Sequence, residues 1–313
     1  MLVITNREVC EGETGEHAFG EGVNQKGPNE LRLAHATRKG GKWKVELVPE
    51  PSTLTADNAP SRGEYRKLLK TCQDRGRHCL FYVHGFNKTF PETLEQGNDL
   101  AKRYGVEVVL FSWPSNPGGL PPVEYRRARR VAQASFGALD SAFEKLGAYT
   151  REQPFSKDAL LDCEVTLNLM AYSLGNYLLQ NYVGSNDYAT ETRIFTNVVL
   201  CQADVDSEGH AQWVGQIVAG QRVYATINEN DKVLGWSESI TYPRLGRTLA
   251  NLTAETTAYV DFTRGEDVGN KHQVWGEVDN PVVKGFFKSV FRGLRGEDTS
   301  GLDYDARFNA YRL

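Results

Sequence analysis

Near its middle the chain contains the segment Leu167-Asn168-Leu169-Met170-Ala171-Tyr172-Ser173-Leu174-Gly175-Asn176. The part before Ser173 is an apolar run typical of a buried strand, and Gly175–Val183 has the apolar spacing of a helix. Ser173 therefore lies where a strand passes directly into a helix. The residues two positions before and after it, Ala171 and Gly175, are small. Small side chains are needed at such a turn because the strand and helix backbones approach each other closely.

The pattern around this segment predicts an α/β fold. From residue 79 onward, apolar runs alternate with amphipathic segments of helical length, which is typical of a mostly parallel sheet with helices on both faces. The predicted strands are Cys79–His84, Glu107–Ser112, Glu164–Tyr172, Asn197–Ala203, Gln221–Asn228 and Ala258–Thr263. Helices are predicted between most of them, for example Pro91–Tyr104 and Tyr125–Leu146.

The two ends of the chain are predicted to extend this core. An N-terminal antiparallel β extension is expected over residues 1–60, from strands Leu2–Thr5, Leu31–Thr37 and Trp43–Val48, with a surface loop over Glu11–Glu30. In Val282–Leu294 the apolar residues share one helical face, which favours a last helix packed on the sheet over a membrane-surface helix. We expect a single domain over residues 1–313, with its core at 79–275 and a C-terminal helix and tail at 282–313.

The junction at Ser173 has the layout of a nucleophile elbow, in which a strained turn projects a serine hydroxyl from the sheet. The usual pattern Gly-x-Ser-x-Gly is present here as Ala171-Tyr172-Ser173-Leu174-Gly175. Taken alone, a serine between a strand and a helix can also be an ordinary helix cap.

Two further segments make the pattern more specific. Phe81-Tyr82-Val83-His84-Gly85-Phe86-Asn87 is a strand ending in a His-Gly turn, and Val108-Val109-Leu110-Phe111-Ser112-Trp113-Pro114-Ser115 is a buried strand ending in an aromatic residue and a proline. With the Ser-x-Gly elbow, these motifs resemble the α/β-hydrolase superfamily, in particular a poorly characterised bacterial, esterase- or lipase-like branch. The similarity runs from about Phe81 to about Trp275.

The resemblance implies roles for individual residues. The backbone N–H of Leu174 and that of Phe86 or Asn87 would form an oxyanion hole, and His84 would be structural. In this superfamily the acid and then the histidine follow the serine along the chain. His272 is then favoured as the base over His210, which we interpret as a surface residue. Asp231 is favoured as the acid, with Asp204 as the alternative.

The function expected from these residues is hydrolysis of a carboxylic ester or related acyl bond through an acyl-enzyme, without a metal or another cofactor. The other hypothesis is an inert α/β-hydrolase scaffold that binds a partner. The expected ligand is a small acyl substrate. A net charge of −4 argues against nucleic acid, and Arg126-Arg127-Ala128-Arg129-Arg130 is interpreted as a solvated helix face. The sequence does not indicate an oligomeric state.

The cellular compartment is predicted from the cysteines and the apolar runs. Five scattered cysteines show no paired short spacing and are expected to be free thiols in a reducing compartment. No run approaches the roughly 20 apolar residues that cross a bilayer, so stable membrane insertion is not expected. Only four apolar residues precede Thr5 and Asn6, which is too few for a signal peptide. We therefore expect a cytoplasmic protein.

Overall fold

The computed structural model describes residues 1–53, 55, 58–152 and 165–313. Backbone contacts group the chain into two compact units, Met1–Thr166 and Leu167–Leu313. Cys163 and the first residue of the predicted strand Glu164–Tyr172 lie outside the described residues. The expectation of one domain over residues 1–313 stays a prediction.

The first unit combines a sheet with flanking helices. Its strands are β1 (Leu2–Thr5), β2 (Arg7–Val9), β3 (Phe19–Val23), β4 (Arg32–Lys39), β5 (Lys42–Leu47), β6 (Cys79–Val83) and β7 (Glu107–Ser112). Its helices are α1 (Pro60–Arg75), α2 (Phe90–Tyr104), α3 (Pro121–Ala134) and α4 (Phe136–Glu152). The strand order is β6-β7-β1-β4-β5, with β6, β7 and β1 parallel and β4 and β5 antiparallel. The predicted N-terminal extension is therefore present, although β1 itself joins the parallel strands.

The prediction of a surface loop over Glu11–Glu30 is wrong. Within it, β3 pairs antiparallel with β2, and Phe19 is buried with its ring centroid 5.0 Å from that of Phe90. A Cβ at Gly20 would overlap the side chain of Glu8. Gly20 is therefore a strand residue that leaves room for the Glu8 side chain of β2. In the sequence alone, a glycine in this stretch favoured a loop.

The helix predicted over Tyr125–Leu146 is two helices, because the chain bends at Ser135. The Ser135 N–H is shared between the carbonyls of Val131 and Ala132, and its hydroxyl accepts a hydrogen bond from Asn6. The helix α3 begins at Pro121, where a missing N–H costs nothing. Arg126, Arg127 and Arg130 are exposed on this helix, which agrees with a solvated basic face.

The second unit contains the strands β8 (Leu167–Tyr172), β9 (Asn197–Cys201), β10 (Arg222–Ile227), β11 (Thr257–Asp261), β12 (Asp303–Asp305) and β13 (Ala310–Arg312). Its helices are α5 (Gly175–Val183), α6 (His210–Val214), α7 (Lys232–Glu238), α8 (Val274–Glu277) and α9 (Pro281–Val290). The strand order is β12-β13-β11-β10-β9-β8, parallel throughout except for β12 against β13. Mostly parallel strands flanked by helices confirm the predicted α/β class.

The C-terminal helix α9 buries one apolar face. Val283, Phe286, Phe287 and Val290 are fully buried, and the Phe286 ring packs edge-on against Tyr224 of β10 at 5.3 Å between centroids. Packing against the sheet is therefore the correct interpretation of this helix. No helix in the described part of the chain is long and apolar enough to span a bilayer.

Candidate active site

Ser173 occupies a strained turn between β8 and α5. Its φ of 54° lies in the left-handed region, which a residue with a side chain adopts only when its surroundings impose it. Here the Ser173 N–H donates to Cys201 O at 3.0 Å, and the Asn176 side-chain amide donates to the carbonyls of Ala171 and Ser173. These bonds hold the turn, and the fully buried Ala171 is accommodated at the position of the usual glycine.

Three polar side chains of the second unit form a continuous chain of hydrogen bonds. Ser173 Oγ lies 2.9 Å from His272 Nε2, and His272 Nδ1 lies 2.6 Å from Asp231 Oδ2. The Asp231 carboxylate is fully buried, whereas 13% of the imidazole surface is exposed. The structure thus brings together the serine, the histidine and the first-choice aspartate that the sequence singles out.

Asp231 has a second role at the N-terminus of α7. Its Oδ1 accepts the backbone N–H groups of Val233 and Leu234 at 2.9 and 3.0 Å, which caps the helix. The two oxygens of this carboxylate therefore have separate partners. The helix-cap interpretation and the triad interpretation of Asp231 are both compatible with this geometry.

The loop that carries His272 is held by Asn228, a buried residue that follows β10. The Asn228 side-chain amide donates to Gly269 O at 3.1 Å and to Lys271 O at 2.9 Å. The centroid of the Tyr172 ring lies 5.0 Å from that of the His272 imidazole. Sequence reasoning did not single out Asn228, although an asparagine directly after a buried strand was a usable signal.

Asp204, the alternative acid, has different partners. Its carboxylate accepts the Ser237 hydroxyl at 2.6 Å and lies 3.3 Å from Nε of the fully buried Arg244. Its backbone N–H donates to Ser173 O at 3.2 Å. Asp204 is thus next to the elbow through its backbone, and its side chain is committed to an ion pair.

The interpretation of His210 as a surface residue is wrong. His210 is 2% exposed, and its ring nitrogens lie 2.6 Å from Ser207 O and 2.6 Å from the Tyr259 hydroxyl. Burial lowers the pKa of this histidine. The contact with Tyr259 joins residues 49 positions apart, and a local pattern does not reveal such a contact.

In the first unit, His84 is fully buried in the loop after β6. Its Nε2 accepts the Trp113 N–H at 3.1 Å, and its Nδ1 donates to Gly85 O at 2.9 Å. Burial is the main cause that keeps the pKa of His84 well below its ordinary value. The imidazole is therefore neutral, as an acceptor nitrogen requires.

The two loop amides that were predicted as oxyanion donors differ. The Asn87 N–H already donates to Ser115 O at 3.0 Å, and Asn87 has a φ of 54°. Among the described residues, the backbone N–H groups of Phe86 and Leu174 have no hydrogen-bond partner. Of the two loop candidates, only Phe86 has an amide hydrogen to offer.

Within the described part of the chain, no group of three or more His, Cys, Asp and Glu side chains could hold a metal ion. Around Ser173, an imidazole is hydrogen-bonded to the serine hydroxyl and a carboxylate is hydrogen-bonded to the imidazole. This arrangement suits acid–base chemistry on the hydroxyl.

Comparison with protein families identifies the fold. Residues 61–261 match the model of a family described as alpha/beta hydrolase of unknown function (DUF900), a match that includes Ser173 and Asp231 and ends before His272. Comparisons with curated proteins and with solved structures give no significant match. The matched region spans more than half of the chain, and the chain therefore belongs to this family of α/β-hydrolases.

Proposed function

We propose that the protein is a serine hydrolase that cleaves a carboxylic ester or a related acyl bond through an acyl-enzyme. The observation that carries the proposal is the hydrogen-bonded chain from Ser173 through His272 to Asp231, at 2.9 and 2.6 Å. A serine hydroxyl is a weak nucleophile, and an adjacent base oriented by a carboxylate is the standard means of activating it.

In the proposed first step, Ser173 Oγ attacks the acyl carbonyl carbon while His272 Nε2 takes the hydroxyl proton. Asp231 keeps the proton of His272 on Nδ1 and stabilises the imidazolium. The imidazolium then gives its Nε2 proton to the leaving alcohol as the carbon–oxygen bond breaks. In the second step His272 takes a proton from water, which attacks the acyl carbonyl carbon. His272 then returns the proton to Ser173 Oγ as the acyl–oxygen bond breaks and the acid leaves.

The negative charge on the carbonyl oxygen requires donors that are in place before the reaction. We assign this role to the backbone N–H of Leu174, the residue after the nucleophile. The assignment is supported by the lack of another hydrogen-bond partner for this amide within the described residues. The second donor, Phe86 or Asn87 by the resemblance, stays a prediction.

The resemblance described above also supports a bacterial origin and an esterase- or lipase-like activity as part of this proposal. The cysteines support a reducing compartment such as the cytoplasm, because Cys10, Cys72, Cys79 and Cys201 are all free.

The test is labelling with a fluorophosphonate probe, which reacts only with an activated serine. We expect the wild type to be labelled and Ser173→Ala to remain unlabelled. Ser185→Ala, a change beyond the last turn of α5 in the same unit, should be labelled like the wild type. A panel of p-nitrophenyl esters of increasing acyl length then defines the substrate. A folded wild type that takes up no label would favour the inert scaffold.

A further inference from the structure

An aromatic contact joins the strand that precedes Ser173 to the loop that carries His272. Tyr172, the last residue of β8, is 4% exposed and lies directly before Ser173 in the chain. Its ring centroid is 5.0 Å from that of the His272 imidazole, and the two ring planes are inclined at 40°. The imidazole is therefore in contact with the nucleophile and also with the residue before it.

The Tyr172 ring is packed in turn against Trp275. This tryptophan lies in α8, three residues after His272, and it is fully buried. Its ring centroid is 6.0 Å from that of Tyr172, with the planes at 88°, which is an edge-to-face arrangement. Edge-to-face aromatic pairs are favourable beyond the area that they bury. The position of the Tyr172 ring is thus set by its own strand and by α8.

Hydrogen bonds and ring packing restrain the imidazole in different ways. The bonds to Ser173 and Asp231, at 2.9 and 2.6 Å, hold its two nitrogens. A ring that is held at two points can still tilt about the line that joins them. A second ring in van der Waals contact limits this tilt, because it leaves little free space beside the imidazole.

One of the two hydrogen bonds is lost during the proposed reaction. After the first step Ser173 Oγ is an ester oxygen without a proton, and His272 is neutral with its proton on Nδ1, toward Asp231. Because Nε2 and Oγ are then both acceptors, no hydrogen bond can form between them. Nε2 must now take a proton from water while the water oxygen attacks the acyl carbonyl carbon. At this stage the imidazole depends more on ring packing for its position than it did before.

We propose that Tyr172 is a positioning residue for the second step, in which its ring keeps the His272 imidazole in line with the attacking water. The inference rests on the proposed function, since it concerns the acyl-enzyme formed at Ser173. The part of Tyr172 that acts is the ring, which contacts His272 and Trp275. Phenylalanine should therefore replace tyrosine at this position, and an aliphatic residue should not.

The experiment compares Tyr172→Leu with Tyr172→Phe and Tyr182→Leu. Leucine removes the flat ring, whereas phenylalanine keeps it. Tyr182 of α5 is the matched control, because it is also a buried tyrosine of the second unit and its ring packs on Tyr188 at 5.2 Å between centroids. Each leucine variant thus loses one aromatic pair. If Tyr172→Leu does not fold, Tyr172→Met provides the same test, because its flexible side chain fills irregular space without a ring.

The substrate is p-nitrophenyl butyrate, whose leaving group departs readily, so that hydrolysis of the acyl-enzyme limits turnover. The initial burst of p-nitrophenol counts the active sites, kcat then reports the second step, and kcat/KM reports the first step. The ratio of kcat to kcat/KM does not depend on how much of the sample is folded. Misplacement by about 1 Å can cost about 100-fold in rate, so we expect Tyr172→Leu to lower kcat about tenfold and kcat/KM about twofold. The KM of this variant should therefore fall about fivefold.

Tyr172→Phe should keep the wild-type ratio. Tyr182→Leu should lower the melting temperature about as much as Tyr172→Leu and also keep the wild-type ratio. A wild type that neither hydrolyses esters nor takes up the fluorophosphonate probe would overturn the proposed function and this inference together. With an active wild type, the inference alone is overturned by an unchanged kcat in Tyr172→Leu or by equal losses of kcat and kcat/KM. It is also overturned by the same change of ratio in Tyr182→Leu or in Tyr172→Phe.

Discussion

Two aspartates lie near the elbow, and each of their carboxylates has a defined partner. Asp231 Oδ2 faces His272 Nδ1, while Asp231 Oδ1 caps α7. Asp204 is bonded to Ser237 and to the buried Arg244. Substituting asparagine at each position therefore removes a different interaction, and the effect on turnover should differ accordingly.

We expect Asp231→Asn to lower kcat by about 10³–10⁴-fold, because the new amide donates toward His272 and favours the wrong tautomer. The helix cap survives, since the remaining oxygen still accepts. Asp204→Asn should act chiefly on stability, because removing one partner of a buried ion pair costs about 3–5 kcal/mol. Ester hydrolysis and urea denaturation of both variants measure the two effects, and the reverse ranking in kcat would move the acid to Asp204.

The residues of this site were only partly predictable. Ser173, His272 and Asp231 could be selected because the superfamily pattern fixes their order along the chain. The choice between Asp231 and Asp204 stayed open in the sequence, because both follow a strand and either could cap a helix. The burial of His210 and the role of Asn228 depend on contacts with residues 49 and 41–43 positions away, which no local pattern encodes.

A short 3-10 turn, Leu245–Arg247, contacts the loop after β9 and the loop after β10 that carries Asp231. The Gly246 N–H donates to Ala203 O, and the Gly246 carbonyl accepts the Asn228 N–H, each at 3.0 Å. A Cβ at Gly246 would overlap the backbone of Gln202 and Ala203. The glycine is needed here for close approach.

Gly246→Ala should therefore lower the free energy of unfolding by about 1–3 kcal/mol, the usual cost of overpacking, and also reduce turnover. Gly63→Ala is the control, because a Cβ at that position inside α1 would meet no other atom within 4 Å. There alanine should stabilise the protein by about 0.5–1 kcal/mol. Urea denaturation measures both changes. An unchanged free energy of unfolding in Gly246→Ala would show that the turn shifts to accommodate the methyl group.

Strands were easier to predict than the breaks between helices. Buried parallel strands such as β7 and β9 are continuous apolar runs, so they can be recognised in the sequence without knowing which strands they pair with. At the bend, Ser135 accepts a hydrogen bond from Asn6, and the pairing of β3 with β2 brings Gly20 against Glu8. Neither contact is visible in the residues next to the bend or to the strand.

At the scale of the whole molecule, each unit buries one histidine in its neutral form. His84 lies in the first unit and His210 in the second, and burial lowers the pKa of both. In the unfolded chain a histidine titrates near its ordinary value of 6.5. Below that pH these two histidines bind protons in the unfolded chain but not in the folded protein, so acidification favours unfolding.

We therefore expect the free energy of unfolding to fall between pH 7.5 and 5.5, by at most about 1.4 kcal/mol per pH unit for each histidine. This contribution is fully present above the unfolded pKa and is lost as the pH drops toward the folded one. Carboxylates with lowered pKa, such as Glu64 and Glu297, contribute only at lower pH, because their ordinary value is 4.5. Urea denaturation across this range provides the measurement. His210→Gln should be less stable at pH 7.5 and show a shallower pH dependence than the wild type, whereas equal slopes would mean that His210 is protonated in the folded protein.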